Sequence, residues 1–249
     1  MDLLLKDKVA LITGASRGLG AASAAALAAE GTNLVLSARD GDALDSQVKR
    51  LTANFGIRAI AVPADLTQNG VSDSVVKSSL DAFGRIDILI NSAGASQGGL
   101  FWEIPDQVWQ DSMELKVMGT IRMMRAVIPH MLENKGGRIV NIVGNTGLQP
   151  SPRLLPGSAA NAALLAVTRG LAEELAPQNV IINALNPGPT RTERWTTLMA
   201  KLAESSGRSV ADVESDYTAQ IPMDRLGEPE EIGRLAAFLA SERAANMTG

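Results

Sequence analysis

Short apolar runs alternate along this chain with longer stretches in which apolar positions recur every three or four residues. The runs are KVALIT (8–13), NLVLSA (33–38), RAIAVPAD (58–65), IDILINSAG (86–94), GRIVNIVG (137–144) and VIINALNPG (180–188). Each is short and nearly continuous in its apolar character, which predicts a strand covered on both faces. Helical patterns fill the intervals. AASAAALAAEG is alanine-rich and closed by Gly31, GDALDSQVKRLTANFG follows the second strand, and another helix lies between the third and fourth. A long helical region runs from about Asp106 to Leu132, and PGSAANAALLAVTRGLAEEL (156–175) precedes the sixth strand. Strand and helix in regular alternation imply βαβ units and a parallel sheet between two helical layers.

No repeat, low-complexity tract or linker interrupts this pattern, so residues 1–249 read as one α/β domain. The stretch 190–222 departs from it, being polar and irregular with AESSGRSVADVESD in its middle. It is expected to form a flap beyond the sixth strand, at the end of a parallel sheet where ligands are commonly covered. A solvated surface loop is the alternative.

Composition narrows the chemistry. With 45% apolar and 20% charged residues the chain can build a substantial core. A net charge of −4 argues against a general affinity for nucleic acid or anionic membrane. No run approaches the ~18–20 apolar residues of a membrane span, and MDLLLKDKVALITG lacks the layout of a signal peptide. A soluble cytoplasmic protein is the expectation. There is no cysteine, so disulfides, thiolate metal sites and cysteine nucleophiles are excluded. One histidine and one tyrosine, His130 and Tyr217, rule out a histidine triad or a multi-histidine metal site, and no metal is expected. His130, in RAVIPHM, reads as a helix-end residue.

TGASRGLG places Gly14, Gly18 and Gly20 directly between the first strand and the first helix. Glycine there permits a tight turn and lets the backbone N–H groups of the loop, including Ser16, Arg17 and Leu19, approach a pyrophosphate at the helix N-terminus. Behind a strand and followed by βα repeats, the triad marks a dinucleotide site on a Rossmann-type, doubly wound parallel sheet. The second strand ends SARD, where an acidic residue would accept hydrogen bonds from the 2′-OH of NAD(H). Here Arg39 occupies the strand end and Arg17 lies within the glycine loop. Two guanidiniums favour a 2′-phosphate, and so NADP(H) over NAD(H). Asp40, next in sequence, pulls the other way, and a solvated surface pair is the alternative.

These motifs, in this order and over essentially the whole chain, resemble the short-chain dehydrogenase/reductase family. The resemblance implies that Asp65 and Leu66 of PADL meet the adenine. It implies that Asn91, Ala93 and Gly94 of NSAG form the turn closing over the adenine side of the cofactor. Pro187, Gly188, Thr190 and Thr192 of NPGPTRT would lead to the nicotinamide, with Thr192 at its carboxamide. IPMDRLGEPEEIGRLAAFLAS resembles the final helix region; the chain stops at MTG, where relatives continue into a last short strand, as a truncated sequence would.

The family's chemistry rests on a serine, a tyrosine, a lysine one helical turn after it, and an asparagine in the preceding long helix. The corresponding positions here are Gly144, Gly157, Asn161 and Lys116. Lysine and asparagine are thus exchanged between two helices expected to adjoin the site. Lys116 would direct an ammonium toward the ribose or the substrate oxygen, and Asn161 would supply an amide; the alternative is a solvated or packing lysine. Asn145, Thr146 and Ser158 lie beside the lost positions and could orient an oxygen or a water. Tyr217, in the flap, is a candidate substitute acid or a packing residue.

The resemblance implies an NADP(H)-dependent oxidoreductase acting on a small-molecule carbonyl or alcohol, such as a 3-oxoacyl thioester or small ketone, through a rearranged site. The alternatives are a nucleotide-binding member without catalysis and a non-redox reaction on the same fold. It also implies a homodimer or homotetramer formed through the helices at about 106–132 and 157–177.

Overall fold

The six apolar runs form one parallel sheet in the order β3-β2-β1-β4-β5-β6. The computed structural model describes residues 1–94 and 97–249, with Ser205 described in its backbone alone. The strands are β1 (Val9–Thr13), β2 (Asn33–Ala38), β3 (Ala59–Pro63), β4 (Ile88–Asn91), β5 (Gly137–Ile142) and β6 (Val180–Leu185). At the centre, Leu11 of β1 lies between Val35 of β2 and Leu89 of β4, and all three are fully buried. Burial on both faces explains why these strands read as continuous apolar runs rather than alternating ones.

The helices are α1 (Gly18–Ala29), α2 (Gly41–Phe55), α3 (Val71–Phe83), α4 (Asp106–Ser112), α5 (Gly119–Glu133), α6 (Leu155–Leu175), α7 (Glu193–Ser206), α8 (Val210–Thr218) and α9 (Pro229–Leu239). One apolar layer joins Leu27, Leu34, Leu44 and Ala236 on the α1, α2 and α9 side of the sheet. The other joins Val75, Met123, Val127 and Ala172 on the α3, α5 and α6 side. The fold is therefore a doubly wound α/β sheet with helices on both faces, as the alternation implied.

The helical region from 106 to 132 is not uniform. Between α4 and α5 the backbone runs through a wider π-type turn, Met113–Met118, that carries Lys116. Such widened turns re-aim side chains and recur at functional sites; neither the apolar period nor composition distinguishes one from regular helix. The segment 190–222 contains two helices, α7 and α8, and packs Trp195, Met199 and Val213 with Leu226 into a small core. Among the described residues no helix is long and apolar enough to cross a membrane.

The chain order reverses between β1 and β4, so the loops leaving these strands diverge and open a crevice at their carboxyl ends. The two loops are stitched together there. Thr13 Oγ1 accepts the N–H groups of Ser92 (3.1 Å) and Ala93 (3.3 Å). Gly14, at φ +64°, passes so close that a Cβ on it would sit 2.8 Å from Ser92 O.

Candidate active site

The glycine loop is built for close backbone approach. Gly14 and Gly18 both have positive φ, and a Cβ on Gly20 would meet Gly14 O at 2.3 Å. Arg17 is the extended residue preceding α1, and no side chain caps that helix. Its first N–H groups, from Gly18, Leu19 and Gly20, therefore face the crevice without a side-chain acceptor, beside the carbonyl of Ser16, which accepts from Gln47 Nε2 (3.3 Å). By contrast α2 and α7 are capped by Asp40 and Thr192. An open, glycine-lined helix terminus fits the pyrophosphate of a dinucleotide.

The adenosine end is equally specific. Asp40 accepts the N–H of Ala43 (3.0 Å), so its carboxylate is engaged as a helix cap. Arg39 is exposed at the end of β2. Asp65 accepts from both Thr67 N (3.1 Å) and Thr67 Oγ1 (2.8 Å). These bonds hold its carboxyl below the usual range, with burial opposing and the charge of Arg39 assisting. The buried Leu66 follows it. Arg17 extends across the loop to the flap, with Nη1 3.1 Å from Glu193 Oε2.

At the crevice floor, Asn91 is buried and donates to Asn141 Oδ1 (2.9 Å), which in turn donates through Nδ2 to Thr168 Oγ1 (2.9 Å). This polar chain ties β4, β5 and α6 together beneath the NSAG turn, and Asn91 Oδ1 is left buried without a hydrogen-bond partner. After β6, Pro187 O accepts the N–H of Asn145 (3.0 Å) and Thr190 Oγ1 donates to Gly188 O (3.0 Å). Thr192 Oγ1 accepts the N–H of Trp195 (3.3 Å) at the start of α7, so this hydroxyl begins the flap.

The exchanged pair comes together. Lys116 is 7% exposed, and its Nζ donates to Asn161 Oδ1 and to Val143 O (3.3 Å). Its aliphatic stem lies on Gly94, where a Cβ would approach Lys116 Cγ and Cε to 3.0 Å. Asn161 continues the chain by donating through Nδ2 to Thr146 Oγ1 (2.9 Å) and toward Gly144 O (3.5 Å). Burial, and secondarily the positive charge of Arg194 in the first turn of α7, lowers the Lys116 pKa to about 8. Val117, Val143, Ala160 and Leu164 form the apolar support beneath.

At Gly144, where the resemblance implies a serine, the backbone leaves little room for a side chain. Gly144 adopts φ +116°, ψ +145°, and a Cβ there would stand 3.1 Å from Asn161 Nδ2. A side chain at 144 would therefore be strained in its backbone and would crowd the amide that holds Lys116. Gly157 and Ser158 are buried in the first turn of α6, and Ser158 Oγ donates to Leu154 O (2.9 Å), spending its proton inside the helix. Tyr217 packs edge-on against Trp195 within the flap, ring centroids 5.8 Å apart. The structure thus joins Lys116, Asn161, Thr146 and Gly144 in one bonded group, places Asn145 beside Pro187 and Gly188, and gives Tyr217 a packing contact in the flap. Arg194 and Glu193 were not singled out from sequence. Their signal was present in TRTERW, a charged run directly after Thr192, but only the turn into α7 aims it back at the crevice.

Residues 8–203 match the family model described as short chain dehydrogenase. A 3-oxoacyl-[acyl-carrier-protein] reductase of Synechocystis is 37% identical over 242 residues, covering 97% of this chain and 92% of the relative. The crystal structure of L-sorbose reductase from Gluconobacter frateurii, complexed with NADPH and L-sorbose, superposes with a TM-score of 0.94 at 33% identity, covering 100% of this chain and 95% of that one. An NAD+-bound xylitol dehydrogenase superposes with a TM-score of 0.93 at 28% identity, covering 98% and 96%. With a matched model over most of its length and relatives of this similarity along nearly all of it, the chain belongs to the short-chain dehydrogenase/reductase family.

Proposed function

We propose that this protein is an NADP(H)-dependent oxidoreductase that interconverts a carbonyl and an alcohol, with Lys116 handling the proton at the substrate oxygen. The observation that carries the reading is the buried Lys116 ammonium, held by Asn161 Oδ1 and Val143 O with its stem against Gly94 of the NSAG turn. Two acceptors engage two of its three N–H bonds, leaving a third for an oxygen presented from the crevice. A pKa of about 8 keeps it charged at neutral pH yet able to give up its proton.

The cofactor would be held by the N–H groups of 14–20, by Asp65 and Leu66, by Asn91, Ala93 and Gly94, and by the segment Pro187–Thr192. Arg39 and Arg17 favour a 2′-phosphate, while Asp40 spends Oδ1 on the cap of α2 and keeps its negative charge beside them. NADPH in the sorbose reductase complex is consistent with this choice, while the NAD+-bound xylitol dehydrogenase shows that relatives divide on it. When bound, the cofactor supplies or accepts hydride. Lys116 Nζ then donates its proton to the oxygen of the reduced carbonyl and is reprotonated from solvent. Asn161 orients the ammonium and Thr146 orients Asn161. A small ketone or 3-oxoacyl group is the substrate class by similarity. Assembly into a homodimer or homotetramer through 106–132 and 157–177 belongs to the same reading.

NADPH oxidation across a carbonyl panel, paired with an NADPH titration, tests the assignment. Lys116→Met is expected to lower kcat by about 10²-fold or more while leaving NADPH affinity within about threefold. Unchanged turnover in that variant removes Lys116 from the reaction. Tight NADPH binding by the unaltered protein with no oxidation on any carbonyl replaces this reading with a nucleotide-binding or non-redox role.

A further inference from the structure

An ion pair joins the glycine loop to the segment after β6. Arg17 Nη1 is 3.1 Å from Glu193 Oε2, 176 positions along the chain. Glu193 is the first residue of α7, directly after the capping Thr192. A Cβ on Gly18 would stand 3.9 Å from Thr192 Cγ2, so the start of α7 lies against the same loop that approaches the pyrophosphate. Both charged side chains are 74% exposed, so the pair is open to exchange with a solvent-borne anion.

We infer that Glu193 competes with the 2′-phosphate of the cofactor for Arg17, so that a 2′-phosphorylated adenosine releases the first turn of the flap from the glycine loop. This rests on the NADP(H) reading above and adds to it a coupling between the two ends of the site. A phosphate offers the guanidinium up to two negative charges and several acceptor oxygens, against a single carboxylate contact. A 2′-hydroxyl carries no charge and cannot displace that carboxylate. Arg39, exposed at the end of β2, places its charge near Asp65. Coupling is reciprocal, so whatever factor Glu193 costs the phosphate, the phosphate costs the closed contact. An exposed pair of this kind corresponds to a factor of about two to five. The exchange makes Glu193 a determinant of cofactor choice, and the flap a reporter of which cofactor is bound.

The test measures dissociation constants for NADPH and NADH in the unaltered protein, Glu193→Gln, Arg17→Ala and the double variant. Glu193→Gln is expected to tighten NADPH about two- to fivefold with NADH nearly unchanged, and the gain should vanish in the Arg17→Ala background and shrink in high salt. A second readout follows Trp195 fluorescence in a Trp102→Phe, Trp109→Phe background. Adenosine 2′,5′-bisphosphate should shift its emission where Arg17 is present and not in Arg17→Ala, while adenosine 5′-monophosphate should not shift it. Equal tightening of both cofactors by Glu193→Gln, or a gain that persists without Arg17, overturns the competition while leaving the 2′-phosphate reading intact. An NADPH-to-NADH preference unaffected by Arg17→Ala overturns the competition and leaves the 2′-phosphate to Arg39, whereas equal affinity for the two cofactors in the unaltered protein overturns the 2′-phosphate reading itself.

Discussion

Lys116 is an expensive residue, and its cost is measurable. Its ammonium is withdrawn from water and its pKa falls from 10.5 to about 8. Between those two values the unfolded chain holds a proton that the native protein has released, so native stability rises with pH across this window. Below about pH 8 both states are protonated and the full penalty applies. Lys116→Met removes the charged group from its buried site. Chemical denaturation is expected to show a gain over the unaltered protein that is larger at pH 7 than at pH 10, with a difference on the order of 1–3 kcal/mol. A gain independent of pH contradicts the lowered pKa. Under the proposed role of Lys116 as the acid in the reductive direction, kcat should fall as pH rises through about 8, a descending limb absent from Lys116→Met. Restoring the family serine is expected to fail for a separate reason. Gly144→Ser places a side chain at φ +116° against Asn161 and should destabilise by ~1–3 kcal/mol, without raising turnover.

At the scale of elements, the close approaches of backbone to backbone set what can vary. α1 and α9 pack so tightly that a Cβ on Gly233 would meet Ala22 O at 2.5 Å. The small side chains of the AASAAALAA run exist to allow that contact, whereas Gly20 serves the turn itself. Gly233→Ala should therefore lower stability by ~1–3 kcal/mol through overpacking, with NADPH affinity preserved in the folded fraction. Gly20→Ala, which drives a methyl group into Gly14 O, should lose NADPH affinity as well. Equilibrium denaturation with cofactor titration on both variants separates packing from binding. The π-type turn at Met113–Met118 acts on the same scale, since it carries the Lys116 Cα at the position from which its stem crosses Gly94 to reach Asn161.

Over the whole molecule, the sheet and the flap differ in the cores that support them. The strands sit between two extensive apolar layers, while the flap helices share a small core around Trp195, Met199, Val213 and Leu226 and reach the glycine loop through an exposed ion pair. Local opening draws on the weaker unit. Hydrogen exchange is expected to show amides of α7 and α8 opening at lower free energy than those of β1, β4 and β5, with NADPH altering protection in α7 first. Uniform protection across flap and sheet contradicts that separation.

The sequence by itself determined the sheet, the order of βα units and the place of the glycine loop, because these follow from local periods and from backbone needs that only glycine meets. β2 ends where its apolar run ends, while β3 and β4 stop short of theirs because Asp65 and the NSAG turn bend the backbone into the crevice. Through the family resemblance it also pointed to Gly144, Gly157, Asn161 and Lys116 as the positions expected to carry the chemistry. How these positions meet was decided by tertiary structure alone. Lys116 and Asn161 are 45 residues apart and meet only because the fold packs the wide turn before α5 against α6. Burial of the ammonium, the fall in its pKa and the second charge from Arg194 are properties of that meeting. Tyr217 became a packing partner and Glu193 the counter-ion of Arg17 for the same reason, whereas the Asp40 cap is a local contact with Ala43 N–H that belongs to the chain's own pattern. Pairings across the fold depend on which surfaces the helices bring together, and no local pattern in the chain encodes them.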